Sequence, residues 1–99
     1  MLNELIERTL SKDKIAYGEL FQFVKPYLYK IAATRLKNSD DIDDAIQETI
    51  IKSYNNLHTL KNKKYFKTWI TRILINECNN INNSNNRKTN LFNKALNKF

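Results

Sequence analysis

The stretch from Asp40 to Leu57, DDIDDAIQETIIKSYNNL, constrains the fold of this chain most strongly. Its apolar residues recur every three or four positions, which is the spacing that one buried stripe of an α-helix requires. Asp40 can cap the start, and the helix dipole favours the acids of the first turn. We therefore predict one amphipathic helix, whose buried stripe consists of Ile42, Ala45, Ile46, Ile50, Tyr54 and Leu57.

The opposite face of this helix carries Asp44, Gln47 and Glu48 at positions i, i+3 and i+4, so their side chains project together. Five of the ten acids in the chain lie between Asp40 and Glu48, with no Lys or Arg among them. Ile51 adds a branched apolar side chain beside Glu48. A solvated face is the ordinary interpretation of such a pattern. The clustering of the acids and the exposed Ile51 favour a surface that docks on a basic protein.

Glycine and proline occur once each in 99 residues, which argues for helices and against a turn-rich β fold. A chain of this length forms one small domain with a modest core. We predict an all-α fold: a compact bundle of three main helices with a short N-terminal helix and a basic C-terminal tail. Residues 1–82 would form the domain, and residues 83–99 an Asn- and Lys-rich linker or tail.

The same periodicity predicts two helices before Asp40. A short one covers residues 2–10, and either Ser11 or Asp13 can cap a long one over residues 14–36. Pro26 removes one backbone donor and should kink or split the long helix just before it. The predicted buried side chains of these two helices are Leu2, Leu5, Ile6, Leu10, Ile15, Leu20, Phe21, Val24, Leu28, Ile31, Ala32 and Leu36.

Asn62 can cap a final helix over about residues 63–81. We expect Trp69 to be a structural residue, because it falls within the apolar stripe of this helix. The stripe consists of Tyr65, Phe66, Trp69, Ile70, Ile73, Leu74 and Ile81. A weak terminal helix is also compatible with the tail, because Phe92, Ala95, Leu96 and Phe99 fall at helical spacing.

The residues that would carry catalysis or bind a metal are missing. A single glycine precludes a Gly-rich phosphate loop, and His58 has no second ligand at metal spacing. The carboxylates of Asp40–Asp44 lack the glycine and the distant glutamate of a calcium loop. Cys78 is the only cysteine, so we interpret it as a small packing residue in a reducing compartment. The sequence argues against an enzyme and predicts no cofactor and no metal.

The pattern at the start of the chain, MLNELIERTL, contains acids and is unlike a signal peptide. No apolar run approaches the roughly 20 residues that cross a bilayer. We therefore expect a cytoplasmic protein without membrane insertion.

The formal charge of +7 is unevenly distributed: residues 1–39 carry +3, residues 40–48 carry −5 and residues 49–99 carry +9. The basic second half fits nucleic acid, although abundant Asn, Lys and Ile are also typical of an AT-rich genome. Lysines and Arg72 can neutralise phosphates, amides can pair with base edges, and Tyr65 can stack on an unpaired base. The candidate DNA-binding residues are Lys61, Asn62, Lys63, Lys64, Tyr65, Lys67, Thr71, Arg72, Asn76, Asn79 and Asn80.

Three segments, AYGELFQFVKPYLYKIA, DDIDDAIQETIIKSYNNL and YFKTWITRILINECNN, resemble region two of bacterial sigma factors, specifically the extracytoplasmic-function group. The D-A-I-Q-E core (Asp44–Glu48) and the motif F-x-T-W-I-x-R-I-x-x-N (Phe66–Asn76) keep the order and separation found in that family. The resemblance covers residues 13 to about 82. Those factors also carry a helix-turn-helix domain for the minus-thirty-five element, and the tail of this chain resembles the linker towards it. These residues alone should therefore bind promoters weakly.

The resemblance implies that Asp44, Gln47 and Glu48, with Ile51 beside them, dock on the clamp coiled coil of the β′ subunit of RNA polymerase. It also implies that the loop before Phe66 captures a flipped base of the non-template strand in the minus-ten element. Two alternatives remain: a module that docks on polymerase or on an anti-sigma factor without recognising DNA, and a helical regulator that binds duplex DNA.

Overall fold

Four α-helices and two short turns of 3₁₀ helix make up the chain in the computed structural model, which describes residues 1–97. Within that range no residue lies in a β-strand, so the all-α prediction is confirmed. In chain order the elements are α1 (Leu2–Leu10), α2 (Lys14–Arg35), α3 (Ser39–Asn56), 3₁₀ turns at Leu57–Thr59 and Lys63–Tyr65, and α4 (Phe66–Asn97).

Side-chain caps determine where α2 and α3 begin. Asp13 accepts hydrogen bonds from the backbone N–H groups of Ile15 and Ala16, at 3.0 and 3.1 Å, and is one of the two predicted caps. The bond from Ala16, and after it a hydrogen bond from the Arg8 side chain, hold the pKa of the Asp13 carboxyl below its ordinary value. Asn38 caps α3, because its side-chain oxygen lies 2.8 Å from the backbone nitrogen of Asp40. The assignment of the cap to Asp40 is therefore wrong: Asp40 lies in the first turn.

The core lies where α2 packs against the other three helices and α3 packs against α4. Helix α2 runs unbroken through Pro26, so of the two predicted outcomes the split is wrong, whereas the kink stays a prediction. Pro26 is exposed, and buried residues on both sides of it hold the two halves in one helix. The buried apolar residues are Leu5, Ile6, Ala16, Leu20, Phe21, Val24, Leu28, Ala32, Leu36, Ile42, Ala45, Ile46, Leu57, Phe66, Ile70, Leu74 and Cys78. Cys78 is thus the packing residue that the sequence predicted.

Several apolar residues lie outside this core, contrary to the predicted stripes. Ile15 is 72% exposed and Tyr65 is 56% exposed, and Leu10 and Tyr54 are exposed as well. Ile15 and Leu10 lie near helix ends, where the neighbouring helices do not cover them. Tyr54 instead packs edge-on against the ring of Tyr17, with 4.3 Å between the ring centroids.

Helix α4 is longer than predicted, because it continues past Ile81 to Asn97. No Gly or Pro follows Ile81 to end it. Residues 83–97 are exposed, and Asn85 donates a hydrogen bond to Asp41 of α3 at 3.2 Å. Beyond Asn85 the helix extends away from the bundle, and the molecule measures 60 × 22 × 21 Å. The predicted tail is therefore helical over its described part, and Phe99 lies outside the described residues. The assignment of residues 83–99 as a separate linker stays a prediction.

We expect the Phe66→Ala substitution to lower the free energy of unfolding by about 3–5 kcal/mol, because Phe66 is fully buried at the start of α4. Urea denaturation followed by circular dichroism measures this change. Tyr65→Ala is the matched control: it removes the neighbouring, exposed ring and should change the free energy of unfolding by no more than about 0.5 kcal/mol. Equal stability of the two variants would contradict the assignment of Phe66 to the core.

Candidate functional site

One candidate surface lies on α3, opposite its buried side. Asp44, Gln47, Glu48 and Ile51 are all exposed, and Ile51 keeps 46% of its surface accessible. The other side of the helix is held in the core by Ile42, Ala45, Ile46 and the buried Thr49. The structure therefore places the four predicted residues together on one accessible face, which we call the α3 acidic face.

A second candidate surface is formed by the segment between α3 and α4 together with the start of α4. It encloses a hollow of about 630 Å³, which we call the first hollow. Asn62 accepts a hydrogen bond from the backbone N–H of Lys64 at 3.0 Å and so caps the 3₁₀ turn that leads into α4. The first hollow is lined by Thr59, Leu60, Lys61, Asn62, Tyr65, Thr68, Trp69 and Arg72.

Next to it lies a second hollow of about 540 Å³, between α3 and α4. Thr59 and Trp69 line both hollows, so these two side chains form the boundary between them. The second hollow is lined by Lys52, Asn56, Thr59, Trp69, Ile73, Asn76, Glu77 and Asn80. The two hollows thus bring six of the predicted DNA-binding residues to one groove: Lys61, Asn62, Tyr65, Arg72, Asn76 and Asn80.

Trp69 is half-buried at this boundary, and its ring centroid lies 6.0 Å from that of Phe66. The expectation that Trp69 is structural therefore holds for only part of the side chain. The remainder is accessible from both hollows. Ile73 is half-buried in the same way and lines the second hollow.

Glu77 is a residue of this groove that the sequence analysis did not select. It is only 8% exposed, and its carboxylate forms an ion pair with Lys52 of α3. The hydrogen bond to Glu77 raises the pKa of Lys52 above its ordinary value. The sequence held a signal: Glu77 is the only acid after Glu48 and follows Ile70 and Leu74 at helical spacing on the buried stripe.

Other predicted residues lie away from the groove. On the side of α4 that faces α2, Lys67 Nζ lies 5.6 Å from the centroid of the Tyr27 ring. Thr71 donates a hydrogen bond to the carbonyl oxygen of Lys67 at 2.6 Å, and its hydroxyl lies 3.4 Å from the Tyr27 hydroxyl. Lys63 forms an ion pair with Glu7 of α1.

The remaining predicted residues, Lys64 and Asn79, are exposed. Lys64 Nζ lies 5.9 Å from the centroid of the Tyr65 ring. Among residues 1–97 no group of three His, Cys, Asp or Glu side chains could hold a metal ion. No helix in the described part of the chain is long and apolar enough to cross a membrane. The polar groups of the groove are amides, lysines, an arginine, one carboxylate and the hydroxyl groups of Thr59, Thr68 and Tyr65.

Comparison with known proteins gives a consistent result. The family model for Sigma-70 region 2 matches residues 20–87. The ECF RNA polymerase sigma-E factor of Haemophilus influenzae is 36% identical over 78 residues, which cover 77% of this chain and 40% of that protein. The sigma-E factor of Escherichia coli K12 is 35% identical over 78 residues, covering 77% of this chain and 39% of that protein. The chain thus spans about two fifths of the length of these relatives.

Among solved structures, an NMR structure of an engineered region 2 of sigmaE in complex with GTAAAA is similar, with a TM-score of 0.81. It is 26% identical in sequence, and the match covers 89% of this chain and 92% of that one. The family match extends over most of the bundle, from within α2 into the exposed part of α4. The chain belongs to the Sigma-70 region 2 family.

Proposed function

We propose that this chain is a sigma-factor module of the extracytoplasmic-function group, which joins core RNA polymerase and recognises the minus-ten element of a promoter. The observation that carries the proposal is the groove with two hollows, which share Trp69 and Thr59 and are lined by amides and cations. Such a groove suits a melted strand, whose bases are free to leave the stack. The module acts in the cytoplasm and makes or breaks no covalent bond.

In this proposal the first hollow holds one unpaired base of the non-template strand. Tyr65 and Trp69 supply aromatic surface for the base, while Lys61 and Arg72 pair with the phosphates. Extruding a base costs a few kcal/mol, and stacking on an aromatic side chain returns about 1–3 kcal/mol. Contacts to the base edge supply the rest, so capture stabilises the melted DNA. Asn76 and Asn80, one helical turn apart, contact the adjoining bases from the second hollow.

The α3 acidic face would dock on the clamp of the β′ subunit. Glu48, Lys52 and Asn56 lie at successive positions i, i+4 and i+8 of α3, and the last two line the second hollow. The docking face and the DNA groove therefore adjoin along one helix. Polymerase bound to Glu48 would lie directly beside the melted strand. An anti-sigma factor that covered this face would prevent assembly with polymerase.

We expect Glu48→Lys to weaken binding to polymerase core by about 2 kcal/mol or more, because it places a like charge against a basic partner. Gln47→Ala should weaken binding to a smaller extent. Pull-down with the β′ clamp fragment, followed by titration, measures both effects. Glu4→Lys is the matched control, since it reverses an exposed charge on α1. Unchanged clamp binding by Glu48→Lys would rule out the proposed docking face.

Replacement of Asn76 and Asn80 by Ala should flatten discrimination among single-stranded oligonucleotides, because amides recognise base edges. The double variant Lys61→Ala, Lys64→Ala should instead weaken the binding of every oligonucleotide by the same factor and reduce the salt dependence of binding. Lys63 is less suitable, since it is paired with Glu7. Fluorescence anisotropy over a salt series measures both effects. If the two double variants lost affinity and discrimination equally, the groove would be only a basic surface that does not distinguish bases.

Trp69 is the only tryptophan, so its fluorescence reports directly on the groove. We expect a single-stranded oligonucleotide to change Trp69 emission in a saturable titration, because bases in either hollow contact the indole ring. Heparin is the control, since it is a polyanion without bases and can engage only the cations. If heparin and DNA altered the emission equally, the aromatic boundary would have no part in binding bases.

A further inference from the structure

The second hollow contains an ion pair between Lys52 and Glu77, two residues that have no role in the proposed function. Lys52 comes from α3 and Glu77 from α4, and both line the second hollow. The Glu77 side chain is 11% exposed, whereas that of Lys52 is 46% exposed. The carboxylate is therefore held at a fixed place at the edge of the core, with its accessible part turned to the hollow.

This pair presents a defined hydrogen-bonding pattern. An ammonium group only donates, and it has three N–H groups, of which the bond to Glu77 occupies one. A carboxylate only accepts, and it has about four acceptor sites, of which the same bond occupies one. In the direction from Lys52 to Glu77, the pair therefore supplies one donor group followed by two acceptor oxygens. Cytosine offers the same order along its Watson–Crick edge, through its N4 amino group, N3 and O2.

Guanine is the base whose edge complements that order. Its O6 atom accepts a hydrogen bond, whereas its N1–H and N2 amino groups are adjacent donors. Resting on the proposed function, we propose that the second hollow is a guanine-selective site for an unpaired base next to the base held in the first hollow. Glu77 accepts from N1 and N2 of guanine, and Lys52 donates to O6.

The other bases fit this pair less well. Adenine and cytosine place a ring nitrogen acceptor, N1 or N3, where the Glu77 carboxylate needs a donor. Thymine offers only one donor, N3–H, flanked by two carbonyl oxygens. A phosphate would bring a negative charge against Glu77. Asn76 and Asn80 also line the second hollow, and their amides, which carry both donors and acceptors, contact the adjoining bases.

Analogues of guanine test the proposal without changing the protein. A fluorescein-labelled single-stranded DNA, varied one position at a time, is titrated by fluorescence anisotropy to find a position at which guanine binds best. Hypoxanthine, which lacks the N2 amino group, should bind about tenfold more weakly at that position, because one of the two bonds to the carboxylate is lost. The 7-deazaguanine analogue keeps the whole Watson–Crick edge and should bind like guanine.

The matching protein variant is Glu77→Gln, which keeps the shape of the side chain but replaces one acceptor by a donor. It should lose the preference for guanine at that position and bind hypoxanthine and guanine equally, while base preferences at all other positions persist. Glu4→Gln, which removes one exposed acid from α1, is the control for the change in net charge and should behave like the parent chain. Retention of the other preferences shows that Glu77→Gln is folded.

The possible results are distinguishable. Preferences at other positions without one for guanine, or equal binding of hypoxanthine and guanine by the parent chain, would overturn this inference and leave the proposed function standing. Loss of every preference in Glu77→Gln would make Glu77 a structural residue and would also overturn it. A parent chain that distinguishes no bases at any position would refute the proposed function itself.

Discussion

The burial of one stripe of α4 against α2 and α3 is the constraint on which the rest of the structure depends. Phe66, Ile70 and Leu74 are fully buried, and the regular turn of the helix then fixes the direction of every other side chain on it. Side chains on one flank of this stripe face α3 and line the groove. Side chains on the opposite flank lie beside Tyr27 of α2. The same packing that stabilises the bundle therefore also distributes the DNA-binding candidates.

Periodicity predicts the four helices, because the spacing of apolar residues follows directly from the geometry of a buried stripe. It also placed Asp44, Gln47 and Glu48 correctly on an exposed face. It does not predict the continuation of α4 past Ile81. Periodicity does not indicate how far a neighbouring helix extends over a stripe, so the prediction that Ile15 and Tyr65 are buried is wrong. Tertiary coverage, not local pattern, decides the burial of such residues.

The groove was only partly predictable for a related reason. A list of cations and amides along α4 contains no information about which of them share a cavity with α3. Lys67 and Thr71 are equally polar in the sequence, yet they lie beside Tyr27 and not in the groove. The sequence pattern does not indicate the pairing of Lys52 with Glu77, because the two positions are 25 residues apart. The two side chains come together only because α3 packs against α4.

The unbroken continuation of α4 relates its exposed end to the groove through one helix. Leu91 lies eleven residues after Asn80 on the same helix, which corresponds to about 16 Å along the axis. Each residue also turns the helix by about 100°, so distance and direction are fixed together. A one-residue insertion in this part of α4 would turn Leu91 and Phe92 away from their present side, whereas an insertion of seven would nearly restore it. The geometry of one continuous helix thus relates the direction of the side chains at the projecting end of α4 to the direction in which the groove faces.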